Sequence, residues 1–213
     1  MNKEQVRKTI LETRIVPVVR AASAQLAMAA AEAVAAGGIP IVELTMTVPG
    51  AIDLIAALSH SMGSKVLIGA GTVLDRETAQ RCLDAGAQFL VSPGFDSETV
   101  RLANSTDTLI MAGALTPTEV ITAWKTGADF VKIFPCGNVG GAAYIKALKA
   151  ALPQIPMVPT GGVNLDTAAA FLAAGASALG VGGELIRAVA LEAGDFASIS
   201  ALAKQYVEIV TEA

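Results

Sequence analysis

Histidine, cysteine and charge are all scarce in this 213-residue chain, and each scarcity removes a class of function. His60 is the single histidine, so a histidine-based zinc site or a Ser-His-Asp triad would have to be built on it. It lies in the polar stretch LSHSMGSK, which reads as a helix end. Two cysteines, Cys82 and Cys136, form neither a CxxC pair nor a disulfide framework, the usage expected in a reducing cytoplasm. Charged residues make up 16% of the chain, against about 25% in a typical soluble domain. The net charge is −4 and no basic run occurs, which disfavours nucleic acid, whose phosphates need clustered Lys and Arg. Long apolar runs are missing as well. The longest candidate, Ala33–Val42, is broken by Gly37, Gly38 and Pro40, whereas a membrane-spanning helix needs about 20 apolar residues. The opening MNKEQVRKTILETR carries Glu4 and Glu12 and no apolar segment, so no signal peptide is read there.

What is present is hydrophobic: 53% of the residues, with a mean hydropathy of +0.57. That balance excludes intrinsic disorder, and so thin a surface charge suggests an oligomer. Short β-branched or apolar runs alternate with alanine-rich amphipathic stretches. The expected strands are Ile15–Arg20, Ile39–Thr45, Val66–Gly71, Phe89–Ser92, Thr108–Ala112, Asp129–Phe134, Met157–Thr160 and Ala178–Val181. Helix-like segments between them include Ala24–Ala36, Pro49–Ser59, Arg76–Ala85 and Leu165–Ala174, with cap signals at Asp75, Thr116-Pro117 and Asn164. Strands alternating with helices imply parallel βαβ units, and eight of them fit a closed (β/α)8 TIM barrel better than an open sheet. Lys3–Thr13 reads as an extra N-terminal helix at the barrel bottom.

An internal repeat supports that count. Gly37, Gly86, Gly127 and Gly175 open AAGGIPIVEL, DAGAQFLVSP, KTGADFVKIF and AAGASALGVG at spacings of 49, 41 and 48 residues, about two βα units each. Each glycine suits the left-handed position that ends a helix, and the repeat marks the even-numbered strands. No composition shift interrupts it, so residues 1–213 read as one domain.

In a parallel barrel, chemistry sits at the carboxyl ends of the strands. Those ends hold Arg20, Glu43, Thr72, Pro93, Lys132, Thr160-Gly161-Gly162 and Gly182-Gly183. Lys132 interrupts the apolar strand DFVKIFP. Either it snorkels from the rim, or desolvation keeps its amine in the uncharged form that attacks carbonyls. Glu43, inside IPIVELTMT, reads as the partner of a buried cation or as a general acid/base, and the two roles are compatible. Arg20 pairs with Glu43 or forks onto a substrate carboxylate. The two glycine pairs after strands seven and eight are ordinary turns or a phosphate cradle built from backbone N–H groups. One offset stands against the scheme. Glu43 lies six residues beyond Gly37, but Lys132 only five beyond Gly127. Strict alternation then puts them on opposite faces, and strand stagger or an irregularity at Pro40 is needed for them to meet.

Taken together, RIVPVVR, IVELTMTVPGA, IGAGTV, FLVSPGF, MAGALTPTE, GADFVKIFP, VPTGGV and LGVGG resemble the class I aldolases that cleave 2-keto-3-deoxy-6-phosphogluconate (KDPG) and 4-hydroxy-2-oxoglutarate (KHG). The resemblance implies a (β/α)8 barrel, a cytoplasmic homotrimer, a role in sugar-acid breakdown of the Entner–Doudoroff type, and neither metal nor cofactor. It puts the Schiff-base lysine on Lys132 and a water-mediated proton shuttle on Glu43. It gives Arg20 to the pyruvate carboxylate, Thr72, Pro93 and Phe134 to the pyruvate pocket, and Thr160, Gly161, Gly162, Gly182 and Gly183 to a distal phosphate. Two departures stand out. Thr47 occupies a position where some members carry arginine, and Gly183, followed by Glu184, stands where a serine is common. A lost hydroxyl and an added carboxylate would weaken phosphate binding if Glu184 faces the site. Alternatives are a galactonate-type phosphate aldolase and a sugar-phosphate-binding barrel without turnover, with Lys132 as an ion-pair partner only.

Overall fold

The computed structural model describes residues 1–213. Eight parallel strands form the inner ring: β1 Ile15–Val19, β2 Ile41–Thr45, β3 Leu67–Gly71, β4 Phe89–Val91, β5 Leu109–Ala114, β6 Phe130–Ile133, β7 Met157–Pro159 and β8 Leu179–Val181. The helices are α1 Lys3–Thr13, α2 Ala24–Ala36, α3 Ala51–Met62, α4 Arg76–Asp84, α5 Ser97–Ser105, α6 Pro117–Thr126, α7 Ala142–Ala151, α8 Ala168–Ala173, α9 Ala188–Ala193 and α10 Phe196–Glu212. The strands pair in the order β7-β6-β5-β4-β3-β2-β1-β8, and a bridge between Thr160 and Gly180 closes the ring. This is the (β/α)8 barrel expected from the alternation. Every strand residue is buried, because helices cover the outer face and side chains fill the inner one. That is why the strands read as continuous apolar runs rather than alternating ones. The buried apolar side chains join in one cluster of 65 residues. No helix is long and apolar enough to cross a membrane.

The N-terminal helix closes the bottom. A capping box between Asn2 and Gln5 starts α1, which buries Val6 and Ile10. Lys3 Nζ lies 3.0 Å from the carboxylate of Asp129, just ahead of β6, and the Arg7 guanidinium sits 5.8 Å from the Phe130 ring centroid. These contacts are at the amino ends of strands, so the carboxyl ends stay open for chemistry.

Helix starts differ from expectation in two places, and α3 runs on to Met62 past the expected Ser59. Helix α3 starts at Ala51 rather than Pro49, because Gly50 takes a left-handed conformation (φ +71°) ahead of it. Asn164 does not cap α8 directly. Its side chain accepts from the N–H groups of Asp166 and Thr167, forming a turn, and α8 begins at Ala168.

The repeat glycines explain how the barrel brings its polar residues to one face. Gly86, Gly127 and Gly175 are left-handed, with φ between +97° and +103°. Gly37 is not: its φ is −80°, and the left-handed residue is Gly38 at +94°. Gly37 answers a packing demand instead. A Cβ there would lie 2.4 Å from the Ala203 Cβ and 2.7 Å from the Ser200 carbonyl oxygen, so only glycine lets α10 approach the end of α2 this closely. Counted from the left-handed glycines, Glu43 is five residues past Gly38 and Lys132 five past Gly127. The apparent offset disappears, and neither stagger nor Pro40 is needed to absorb it.

Candidate active site

Lys132 lies on β6 and Glu43 on β2, four strands apart around the ring and so on opposite walls of the barrel. Their side chains meet across the interior, Nζ to Oε1 3.6 Å, with exposures of 4% and 2%. Room for this comes from a glycine. A Cβ on Gly71, at the end of β3, would sit 2.0 Å from Glu43 Oε1. Other glycines do the same elsewhere in the interior: Gly69 beneath the Phe89 ring, Gly113 against the Pro93 backbone and Gly180 against the Thr160 hydroxyl. Removing two charges from water costs on the order of several kcal/mol per ion, which their attraction offsets only with good geometry and further hydrogen bonds. Here Glu43 Oε1 has no hydrogen-bond partner. A carboxylate oxygen left so poorly satisfied, and turned toward an amine, is available to accept from a substrate group. The Phe134 ring centroid lies 5.6 Å from Lys132 Nζ and walls one side of the amine.

The remaining strand ends frame the mouth. Thr45 Oγ1 donates to the Val19 carbonyl (3.0 Å) and lies 2.7 Å from Thr47 Oγ1, tying the end of β2 to β1 beside Glu43. Thr72 holds φ +58°, unusual for a β-branched residue and costing about 1–3 kcal/mol, a strain that clusters at functional sites. Buried Ser92 accepts from the Gly113 N–H at 3.3 Å and fixes the turn that carries Pro93. Cys136 follows two residues after Phe134, but burial pushes its thiol up to about 11, so it is no competing nucleophile at neutral pH. His60 is exposed at the end of α3, toward the barrel bottom, and takes no part.

Next to the lysine is a cavity of about 220 Å³. Phe134 forms one wall, Val18 and Arg20 of the β1 end another, and the loops after β7 and β8 the rest, including Gly161, Gly162, Gly182 and Gly183. Gly161 and Gly162 are left-handed, φ +87° and +78°. The N–H groups of Gly161, Gly162, Val163, Gly183 and Glu184 donate to no protein acceptor. Free N–H groups clustered in the loops around one cavity suit an anion. Arg20 is the only cation on the wall and Glu184 the only acid, and neither forms an ion pair within 4 Å. Arg20 therefore does not pair with Glu43, whose partner is Lys132. It lines the same cavity as the glycine loops. Behind the β8 loop, burial holds the Tyr206 phenol up at about 12, with the Glu184 carboxylate the next contributor.

Sequence reasoning located both members of the buried pair and both glycine loops. It did not anticipate the interior glycines that make space for the site. Their signal was nonetheless in the sequence: Gly69, Gly71, Gly113 and Gly180 each sit within or at the end of an apolar strand run, where glycine often marks close approach.

Comparison with known proteins gives a consistent result. The family profile described as "Aldolase: KDPG and KHG aldolase" matches residues 6–202. A 2-dehydro-3-deoxy-phosphogluconate aldolase of Treponema pallidum is 37% identical over 198 residues, covering 92% of this chain and 93% of that protein. A 2-dehydro-3-deoxy-6-phosphogalactonate aldolase of Escherichia coli is 37% identical over 175 residues, covering 82% and 85%. Among solved structures, KDPG aldolase from Legionella pneumophila, with pyruvate captured at low pH as a covalent carbinolamine intermediate, superposes with a TM-score of 0.85 at 27% identity, covering 92% of this chain and 95% of that one.

Proposed function

The chain belongs to the KDPG and KHG aldolase family, and from that premise we propose that it cleaves a 2-keto-4-hydroxy acid reversibly to pyruvate and an aldehyde through a Schiff base on Lys132. The observation that carries this reading is the buried amine of Lys132 facing, at 3.6 Å, a carboxylate oxygen of Glu43 that accepts no hydrogen bond. The free amine attacks C2 of the keto acid, and the carbonyl oxygen takes up a proton to give a carbinolamine. Loss of water leaves an iminium. Glu43, acting through a water, removes the C4 hydroxyl proton. The C3–C4 bond then breaks, its electrons form the C2=C3 bond of an enamine as the iminium π pair settles on nitrogen, and the aldehyde departs. Protonation of the resulting enamine at C3 and hydrolysis of the iminium release pyruvate and restore the amine. The iminium is the electron sink, so the scheme needs no metal or cofactor.

Thr72, Pro93 and Phe134 are assigned to the pyruvate end. Arg20 is assigned to the far end of the substrate, since it shares a cavity with Thr160, Gly161, Gly162, Gly182 and Gly183, and the free N–H groups there suit a phosphate or another anion. For KDPG the aldehyde is glyceraldehyde 3-phosphate, and for KHG it is glyoxylate. The alternative substrate is 2-keto-3-deoxy-6-phosphogalactonate, which differs from KDPG at C4, and the 37% identity to a galactonate-type enzyme supports keeping it. Residues 1–213 are read as one barrel domain. It acts as a cytoplasmic homotrimer in sugar-acid breakdown of the Entner–Doudoroff type: the low share of charged residues supports an oligomer and two unpaired cysteines a reducing compartment, while the number three and the pathway come from the family resemblance.

Borohydride reduction in the presence of pyruvate tests the chemistry. A stable pyruvyl adduct is expected, mapped by peptide mass to Lys132. An unmodified enzyme, or an adduct on another lysine, would overturn the assignment and favour a barrel that only binds sugar phosphates.

A further inference from the structure

The distal cavity carries two lone charges of opposite sign. Arg20 and Glu184 both line it, neither has an ion-pair partner, and five backbone N–H groups at its rim are free. This wall offers donors (the N–H groups and the guanidinium) and one acceptor-only side chain, the Glu184 carboxylate. A phosphate dianion only accepts, so it satisfies the donors but leaves Glu184 unanswered and repelled. A hydroxyl both accepts and donates, and so satisfies both kinds of group at once. The lining side chains also carry no formal net charge, since one guanidinium and one carboxylate offset each other.

Resting on the aldolase reading above, we infer that Glu184 is a charge filter. Its carboxylate holds down the advantage of a 6-phosphate and keeps the site open to 2-keto-3-deoxy sugar acids whose far end is an uncharged hydroxyl. Glu184 is exposed at the cavity rim, so its effect is partly screened and responds to salt. It touches neither of the reacting groups in β2 and β6, and therefore acts on selectivity rather than on bond cleavage.

The test compares KDPG with its dephosphorylated counterpart, 2-keto-3-deoxygluconate, which differs only in that phosphate. The readout is the ratio of their kcat/KM values. Glu184→Gln should raise the ratio in favour of KDPG about tenfold, and Glu184→Lys should raise it further, with both gains shrinking as ionic strength increases. A ratio that stays at the wild-type value, falls, or rises without salt dependence overturns the proposal. Borohydride trapping of pyruvate on the wild-type protein separates the two levels of inference. A protein that traps pyruvate but shows an unmoved ratio refutes the role of Glu184 alone. One that traps none refutes the aldolase reading and this proposal with it.

Discussion

Gly71→Ala should disable the enzyme while leaving its lysine in place. A Cβ at this position would lie 2.0 Å from Glu43 Oε1, 2.5 Å from its Cγ and 2.6 Å from its Cδ, whereas ordinary contact begins at 3.4 Å. The carboxylate would have to retreat by well over an ångström, and that displaces the same oxygen that faces Lys132 at 3.6 Å. The backbone itself accepts alanine, because Gly71 is not among the left-handed glycines. The whole effect is therefore steric and falls on Glu43. Misplacing a catalytic group by about 1 Å costs roughly a hundredfold in rate, so kcat for aldol cleavage should fall about a hundredfold. Forcing a methyl into a packed interior should also cost about 1–3 kcal/mol of stability. Steady-state cleavage coupled to lactate dehydrogenase measures the first, and urea denaturation the second. Borohydride trapping of pyruvate on Lys132 should persist, since the amine is not displaced. Gly94→Ala is the matched control: its Cβ meets nothing within 4 Å, and its stability should stay within about 0.5 kcal/mol of wild type. A Gly71→Ala enzyme with near-normal kcat and unchanged urea midpoint would refute the claim that this glycine exists to seat Glu43.

Lys132→Met should abolish pyruvate trapping and also destabilise the barrel by about 3–5 kcal/mol, because it strands the Glu43 charge in the interior. Adding Glu43→Gln to that variant should recover part of the loss in urea denaturation, and no recovery would argue against a charged pair. Gly37→Ala and Gly38→Ala should both lower the urea midpoint for different reasons: the first by collision with Ala203 and Ser200, the second by about 1 kcal/mol for a left-handed alanine. Ala203→Gly should therefore relieve part of the loss in the Gly37→Ala variant, the Ser200 carbonyl contact remaining, and none of it in Gly38→Ala. Burial raises the thiols of Cys82 and Cys136 from 9.0 to about 11. The unfolded chain loses those protons first, so stability should fall as pH rises from about 9 to about 11. Native protein should also resist iodoacetamide near pH 8, where rapid labelling of either cysteine would contradict their burial.

The fold was legible because a parallel barrel hides both faces of every strand. That demand writes apolar runs such as IVPVV and LIMAGA into the chain at regular spacing, and the helix-ending glycines mark the joins. Boundaries slipped where a single side chain or glycine redirected the backbone, as Gly50 does ahead of α3 and Asn164 ahead of α8. Lys132 and Glu43 were legible for the opposite reason, since a charge inside an apolar strand conflicts with its surroundings and needs a purpose.

The relation between those two residues was harder to read, and the reason is physical. AAGGIPIVEL contains two adjacent glycines with separate duties. Gly37 admits α10 and Gly38 turns the chain, but composition gives no way to tell which is which. Choosing Gly37 as the joint shifts the period-two alternation by one residue and turns Glu43 away from the barrel interior. The backbone angles assign the duties, and with Gly38 as the joint both acidic and basic side chains point inward from strands on opposite walls. The same reasoning accounts for Arg20. Its place at the end of β1 was readable, but its neighbours depend on ring closure, because β1 meets β8 only when the two ends of the sheet are joined. Closure is what sets Arg20 on the same cavity as the glycine loops and Glu184. Local pattern therefore identifies which residues are chemically exceptional, whereas the partners they meet depend on single-residue register and on contacts between strands far apart in sequence.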